Sequence, residues 1–263
     1  MSDYQTLTVD IDRRGVARVT LNLPEKRNAM SALMIAELTD LAQTVGAADT
    51  TRAMVLSGAG KVFCAGADLT WMQAQIEADR AGRMAEARRL AMMLKALNEM
   101  PTPLIARLHG GAYGGGIGLA CVADVALAET GTRFALTETR LGLIPATIGP
   151  YVIARMGEGR ARRVFMSARV FDAPEAERLG LIARCLDPAQ MEDAIAAEVE
   201  PYLSVAPGAV GAAKALARAL GPRIDAAVID DTITRLADTW EGEEAAHGIA
   251  AFLSNSPPRW SGN

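Results

Sequence analysis

Histidine is nearly absent from this chain. Two of its 263 residues, His109 and His247, are histidines, which leaves little room for a Ser–His–Asp site. His109 reads as a structural residue beside a turn and His247 as one on an exposed helix face. G-x-S-x-G, H-E-x-x-H and clustered Cys/His ligands are all missing, so neither a nucleophile elbow nor a metal centre is expected. The three cysteines, Cys64, Cys121 and Cys185, show no C-x-x-C spacing, and an odd number suits a reducing compartment. Aromatic residues are only 5%, which disfavours an aromatic-rich β-sandwich. Positive charge is not in excess: the net charge is −4. That argues against nucleic acid as the main partner, while an anionic small ligand needs only a local basic cluster or a helix N-terminus. Long hydrophobic runs are also missing. The longest uncharged stretch, 108–123, has 16 residues and is broken by glycines, short of the ~20 needed to span a bilayer. The opening "MSDYQTLTVDIDRR" has no basic region followed by an apolar one, so no secretory signal is visible. A cytoplasmic location is expected, with no membrane partner.

What is present is a chain long enough for one large domain or a domain with an appendage. Its 50% hydrophobic and 22% charged residues are those of a globular protein. "YQTLTVDID" and "VARVTLN" alternate around Arg14-Gly15, which predicts a hairpin. "SALMIAELTDLAQTV" has helical periodicity with Ser31 as its cap. "RAMVLSG" and "PLIARLHG" read as buried strands, and a helix is expected over 76–98. A second helix opens at the triglycine Gly114-Gly115-Gly116 and runs to about Cys121. "DVALAET" and "RFALTE" are short strands around Gly131. Helices are predicted at about 146–156, 157–168, 173–180, 188–199 and 207–220, with one long helix over 224–254. Strands alternating with helices predict an α/β core, residues 1–200, followed by a helical region, 201–263.

Two glycine-rich segments imitate nucleotide loops and fail. "SGAGK" (57–61) has Val55 where a phosphate loop needs its first glycine and Val62 where it needs Ser or Thr. Residues 111–116, G-A-Y-G-G-G, break the G-x-G-x-x-G pattern. A different design is shared by two segments, "MVLSGAGKVFCAGADL" and "PLIARLHGGAYGGGIGLA". Each is a strand, a loop of small residues and a helix start. Small residues there allow either tight helix–strand packing or close approach of a ligand to peptide N–H groups. Helix N-termini leave those groups unpaired, and two of them aimed at one point make an oxyanion hole.

"VFCAGADL", "HGGAYGGGIGLACVADVALA", "RFALTETRLGLIP" and "SARVFDAPEAERLGLI" together resemble the crotonase (enoyl-CoA hydratase/isomerase) superfamily, in its order and spacing. The similarity runs from "VARVTLNLPEKRNAM" to "GIAAFLSNSPPRW". The resemblance implies an α/β fold with a ββα spiral core and a C-terminal helical region that builds homotrimers, often paired into hexamers. It implies an acyl-CoA thioester as substrate and no separate cofactor. It implies that the N–H groups of Ala67 and Gly115 hold the thioester oxygen and stabilise an enolate. "EKRNAM" corresponds to the segment lining the CoA groove, which makes Lys26, Arg27 and Ala29, with Ala65, Asp68 and Leu69, the CoA-binding candidates. Lys26 and Arg27 read equally well as a solvated basic turn, and Asp68 as a first-turn acid suited to the helix dipole.

Typical hydratases of this superfamily use two glutamates, one three residues after the oxyanion glycine and one before "LGxIP". The second is present as Glu138; the first position holds Gly118. Without the motif around it, Glu138 would read as a solvated first-turn acid; within the motif it is the expected catalytic residue. Position 118 is one helical turn after Gly115 and is expected to face the acyl pocket, with Tyr113 and Thr147 as polar neighbours and Tyr151 a further helper, although packing explains these three as well. Where common hydratases carry "IPGxGGTQRL", this chain has "IPATIGPYVIARMG". That segment and Gly118 resemble hydratases of branched, carboxylated enoyl-CoAs, the methylglutaconyl-CoA and isohexenylglutaconyl-CoA hydratases of leucine and acyclic terpene breakdown. The expected activity is therefore a lyase reaction, hydration of a branched or carboxylated 2-enoyl-CoA. Two alternatives stay open: Δ3–Δ2 enoyl-CoA isomerisation by a single glutamate, and non-catalytic acyl-CoA binding. In the tail, Ile224, Val228, Ile233 and Leu236 are expected at a subunit interface, with Arg259 reaching a neighbour's CoA phosphates.

Overall fold

The computed structural model describes residues 4–262. The hairpin forms as the alternation predicts: β1 (Leu7–Ile11) pairs antiparallel with β2 (Val16–Leu21). Asp12 closes its turn by accepting from the N–H groups of Arg14 and Val16. From β2 onward the sheet is parallel, through β3 (Ala53–Gly58), β4 (Leu104–Leu108), β6 (Val125–Glu129) and β9 (Arg184–Leu186). A smaller sheet holds β5 (Gly111–Tyr113), β7 (Arg133–Ala135) and β8 (Phe171–Asp172). The chain climbs as a spiral. It leaves the large sheet after β4 to make β5, then leaves it again after β6 to make β7, parallel to β5. Residues 63–64, after β3, repeat the manoeuvre one turn earlier, because Cys64 bridges Ala112 of β5.

Both faces of the large sheet are covered, as parallel strands require. On one face Met54 and Leu56 of β3 meet Met34, Leu38 and Leu41 of α1 (Ala32–Gln43) and Met93, Leu94 and Leu97 of α3 (Arg80–Glu99). Ser31 caps α1 by accepting from the Met34 N–H. On the other face Val55, Ile105 and Leu127 meet Met191, Ile195 and Val199 of α8 (Met191–Leu203). Each such side chain, fully buried, contributes about 1.5–3 kcal/mol.

The helical predictions need three adjustments. A separate helix, α2 (Leu69–Glu77), precedes α3; Asp79 ends the continuity by capping α3 through the Gly82 N–H. The division at residue 200 falls inside α8, so the helical tail begins after Ser204, with α9 (Pro207–Leu220). The predicted long helix over 224–254 is two helices, α10 (Ala226–Trp240) and α11 (Glu243–Leu253), interrupted at Glu241-Gly242.

The tail is attached in two ways. α9 buries no residue; Lys214 anchors it, donating to the Thr102 carbonyl and pairing with Asp124 at 2.7 Å. α10 lies on α3, with Ile229 and Ile233 against Ala87 and Ala91. Ile233 is thus buried within its own chain and Leu236 lines the central cavity, whereas Ile224 and Val228 line a separate apolar hollow with Pro150, Ile153 and Phe165. Among the described residues, no helix is long and apolar enough to cross a membrane.

Candidate active site

Three successive turns of the spiral end at one cavity. The first turn delivers Ala65-Gly66-Ala67, the second Tyr113-Gly114-Gly115 and the third Thr137-Glu138, each at the exit of its segment of the small sheet. The loops are stitched together by the backbone. Met30 donates to the Gly66 carbonyl and accepts from the Asp68 N–H, and the Gly114 N–H donates to the Ala135 carbonyl. These bonds turn the Ala67 N–H away from Met30. The Gly115 N–H is the first of helix α4 (Gly115–Val122) and has no intrahelical acceptor. Among the described residues neither N–H has a hydrogen-bond acceptor, so both donors remain available to a ligand.

The triglycine has its reason here. Gly114 adopts φ +46° and ψ −115°, a backbone conformation outside the reach of most L-residues. A β-carbon there would also stand 3.2 Å from Glu138 Oε1. At Gly115 a β-carbon would lie 1.8 Å from Met30 Cε. Any side chain at either position would push Glu138 or Met30 out of place.

Glu138 opens a 3-10 turn, Glu138–Leu141, whose end is tied back when the Leu143 N–H donates to the Glu138 carbonyl. The residue is only partly buried, but its Oε2 atom is shut off from solvent and accepts no hydrogen bond among the described residues. Burial pushes its carboxyl up to about 7, against an ordinary 4.5. A carboxyl poised near neutrality can both take and return a proton. Helix α11 supports this turn from behind: Gly248 packs against the backbone of Leu141, and Ala245 and Ile249 enclose Leu143.

The cavity measures about 330 Å³ and its walls are mostly apolar. Tyr113, Thr147 and Ala65 line it, together with Ala67, Gly115 and Glu138. Trp71, Trp240, Phe252, Ile148 and Arg140 also line it, and local sequence signals had not singled them out. Among the described residues Arg140 and Glu138 are the only charged ones lining it, and the guanidinium of the exposed Arg140 has no ion-pair or hydrogen-bond partner.

One expectation is corrected. Gly118 does not line the cavity. It is buried on the far side of Ile148, and a β-carbon at 118 would meet Ile148 Cγ2 at 2.6 Å and Leu94 Cδ1 at 3.5 Å. The space expected to receive substrate is occupied by a protein side chain. Lys26, Arg27, Ala29, Asp68 and Leu69 sit beside the cavity loops without lining it. Asp68 caps α2 through the Thr70 and Trp71 N–H groups and pairs with Lys26 at 3.6 Å. The first-turn role open to Asp68 is therefore filled, and Lys26 is already partnered. Tyr151 is a core residue, 2% exposed, with its hydroxyl on the Ala91 carbonyl. His109 bonds the Gly60 carbonyl, and His247 accepts from the Arg259 N–H.

Two free backbone donors beside an isolated, near-neutral carboxyl make a site for chemistry through an oxyanion with proton transfer at a neighbouring atom. The particular family is fixed by comparison. Residues 12–263 match the Enoyl-CoA hydratase/isomerase family, to which the chain therefore belongs. A putative enoyl-CoA hydratase of Thermus thermophilus is 30% identical over 256 residues, covering 96% of this chain and all of the relative. A probable enoyl-CoA hydratase of Rhizobium meliloti is 33% identical, covering 95% and 96%. Among solved structures, Pseudomonas aeruginosa AtuE shares 37% identity at a TM-score of 0.80, covering 98% of this chain and 100% of its own. An enoyl-CoA hydratase from Mycobacterium avium gives 0.84 at 29% identity, covering 99% and 100%. The fold is accordingly the crotonase fold, and the protein is an enzyme of the enoyl-CoA hydratase/isomerase family.

Proposed function

We propose that this enzyme hydrates a 2-enoyl-CoA whose acyl group is branched or carboxylated. The observation that carries the reaction type is the buried Glu138 Oε2, unpartnered, on a cavity wall shared with the free N–H groups of Ala67 and Gly115. In this reading the thioester oxygen accepts from those two N–H groups. The negative charge that develops as water adds at Cβ is held there, each donor stabilising the transition state by about 3 kcal/mol. Glu138 takes the proton of the incoming water and returns one to Cα. CoA lies along the loops of Lys26, Arg27, Ala29, Ala65, Asp68 and Leu69. The work takes place in the cytoplasm, in a homotrimer or homohexamer to which the tail contributes Ile224, Val228 and Arg259.

Arg140 supports the carboxylated substrate. An unpaired guanidinium in a largely apolar cavity can neutralise a second carboxylate, and can do so with two parallel hydrogen bonds. One observation favours isomerisation instead: among the described residues Glu138 is the only acid lining the cavity, and a single carboxyl suffices to move a proton between Cα and Cγ. A panel of crotonyl-CoA, 3-methylcrotonyl-CoA, 3-methylglutaconyl-CoA and a 3-enoyl-CoA, with products resolved by mass, separates these readings. Hydration adds one water; isomerisation leaves the mass unchanged; a binding protein turns over nothing. Arg140→Gln should lower kcat/KM for 3-methylglutaconyl-CoA about tenfold more than for crotonyl-CoA, the range of one lost charge-assisted bond. Equal losses on both would remove the carboxylated substrate from the proposal.

A further inference from the structure

We infer that Ile148 is a specificity-determining residue of the acyl cavity, and that Gly118 is glycine in order to seat it. This rests on the assignment of the cavity to the acyl group. Ile148 has two faces. One lines the cavity with Thr147, Ile144 and Glu138; the other presses its Cγ2 methyl on Gly118. Gly118 follows the free N–H of Gly115 by one turn of α4, a helix whose remaining residues are buried. Behind it stands Leu94 of α3, fully buried. Ile148 lines the cavity and Gly118 does not, so Ile148 stands as a partition between the acyl space and this part of α4.

The helix itself gains nothing from a glycine. Gly118 lies inside α4 with no left-handed backbone to explain it, and alanine is the better helix former there. What forbids alanine is Ile148: a β-carbon at 118 would meet Cγ2 at 2.6 Å and Cβ at 3.3 Å. The two positions therefore form a small–large pair. With Ile148 cut to alanine, the cavity would extend to Gly118 and Leu94 and accept a bulkier acyl branch. With Gly118 enlarged, Ile148 would be driven toward the substrate.

A double-mutant cycle tests this with two readouts. The first is thermal stability, which needs no turnover and so stands whether or not the proposed reaction is correct. In the wild-type background Gly118→Ala should lower Tm by about 3–10 °C through overpacking. In the Ile148→Ala background the same change should raise Tm, because the clash is gone and the vacated space is refilled. If Ile148→Ala alone does not fold, recovery of a cooperative transition in Ile148→Ala/Gly118→Ala supports the pairing and continued failure overturns it. The same sign of effect in both backgrounds also overturns it. The second readout is substrate preference across 2-enoyl-CoAs of increasing branch size. Ile148→Ala should shift the kcat/KM ratio of bulky to small acyl groups upward by about tenfold or more, the usual discrimination of a methylene-sized change in a pocket. Adding Gly118→Ala should take back part of that shift. A ratio unmoved by Ile148→Ala would show that Ile148 is packing alone.

Discussion

Two glutamates of this protein are withdrawn from water, and they are treated oppositely. Glu37 of α1 is 8% exposed and fully partnered: it accepts from the Gln5 N–H at 2.7 Å, the Thr6 N–H at 2.8 Å and the Thr6 hydroxyl. It fastens the segment before β1 to α1, with both carboxylate oxygens taken up by those three donors. Glu138 has a shielded oxygen that no donor reaches, and its carboxyl is held near neutrality. Burial by itself distinguishes neither. Three donors make the first a structural clasp, while the second keeps one buried oxygen that no donor reaches. A buried polar atom without a partner costs stability, and such a cost persists at sites where the chemistry needs it.

The comparison breaks most visibly in turnover. Glu138→Gln keeps shape and reach but removes the mobile proton, so turnover should fall by about two to four decades, with affinity for CoA esters nearly unchanged. Glu37→Gln should leave turnover per folded molecule alone, since Glu37 does not line the cavity. A Glu138→Gln enzyme with near-normal turnover would remove it from the mechanism.

Stability should show the reverse pattern. Glu37→Gln sets an amide N–H₂ against groups that are themselves donors, and should cost about 2–4 kcal/mol in denaturant unfolding. A loss below about 0.5 kcal/mol would mean that the clasp is not needed.

The smallest effect is a pH dependence. The folded carboxyl of Glu138 binds its proton more tightly than the ordinary carboxyl, about 7 against 4.5. Between those values the folded state holds more protons than the unfolded one, so this group's contribution to stability falls as pH rises through the window. The cost is fully present above pH 7, at most about 3 kcal/mol, and vanishes below about pH 4.5. Glu138→Gln should therefore be more stable than wild type at pH 8, and the gap should close as pH falls. Urea unfolding of both proteins at several pH values measures it; parallel curves would contradict the burial of this carboxyl.

Much of this molecule could be read from local signals. Ser31 marks the start of α1, Arg14-Gly15 the hairpin and the triglycine the start of α4. Caps, turns and periodicity depend on neighbours a few residues away, so the order of letters carries them. The breaks at Asp79 and Glu241-Gly242 were missed although the sequence carries a cap residue at the first and a glycine at the second. Ala67, Gly115 and Glu138 were named from motif resemblance, and the fold brings all three to one cavity. The surroundings of that cavity were not legible. Trp71, Trp240, Phe252 and Arg140 come from four separate elements, and each would pass as an ordinary surface or packing residue by its own context. Position 118 shows why. Helical spacing places it correctly one turn beyond Gly115, but what lies in front of it is Ile148, delivered by a distant loop. A sequence fixes which face of a helix a residue occupies through covalent geometry; which atoms fill the space before that face is settled only by close packing among elements far apart in the chain.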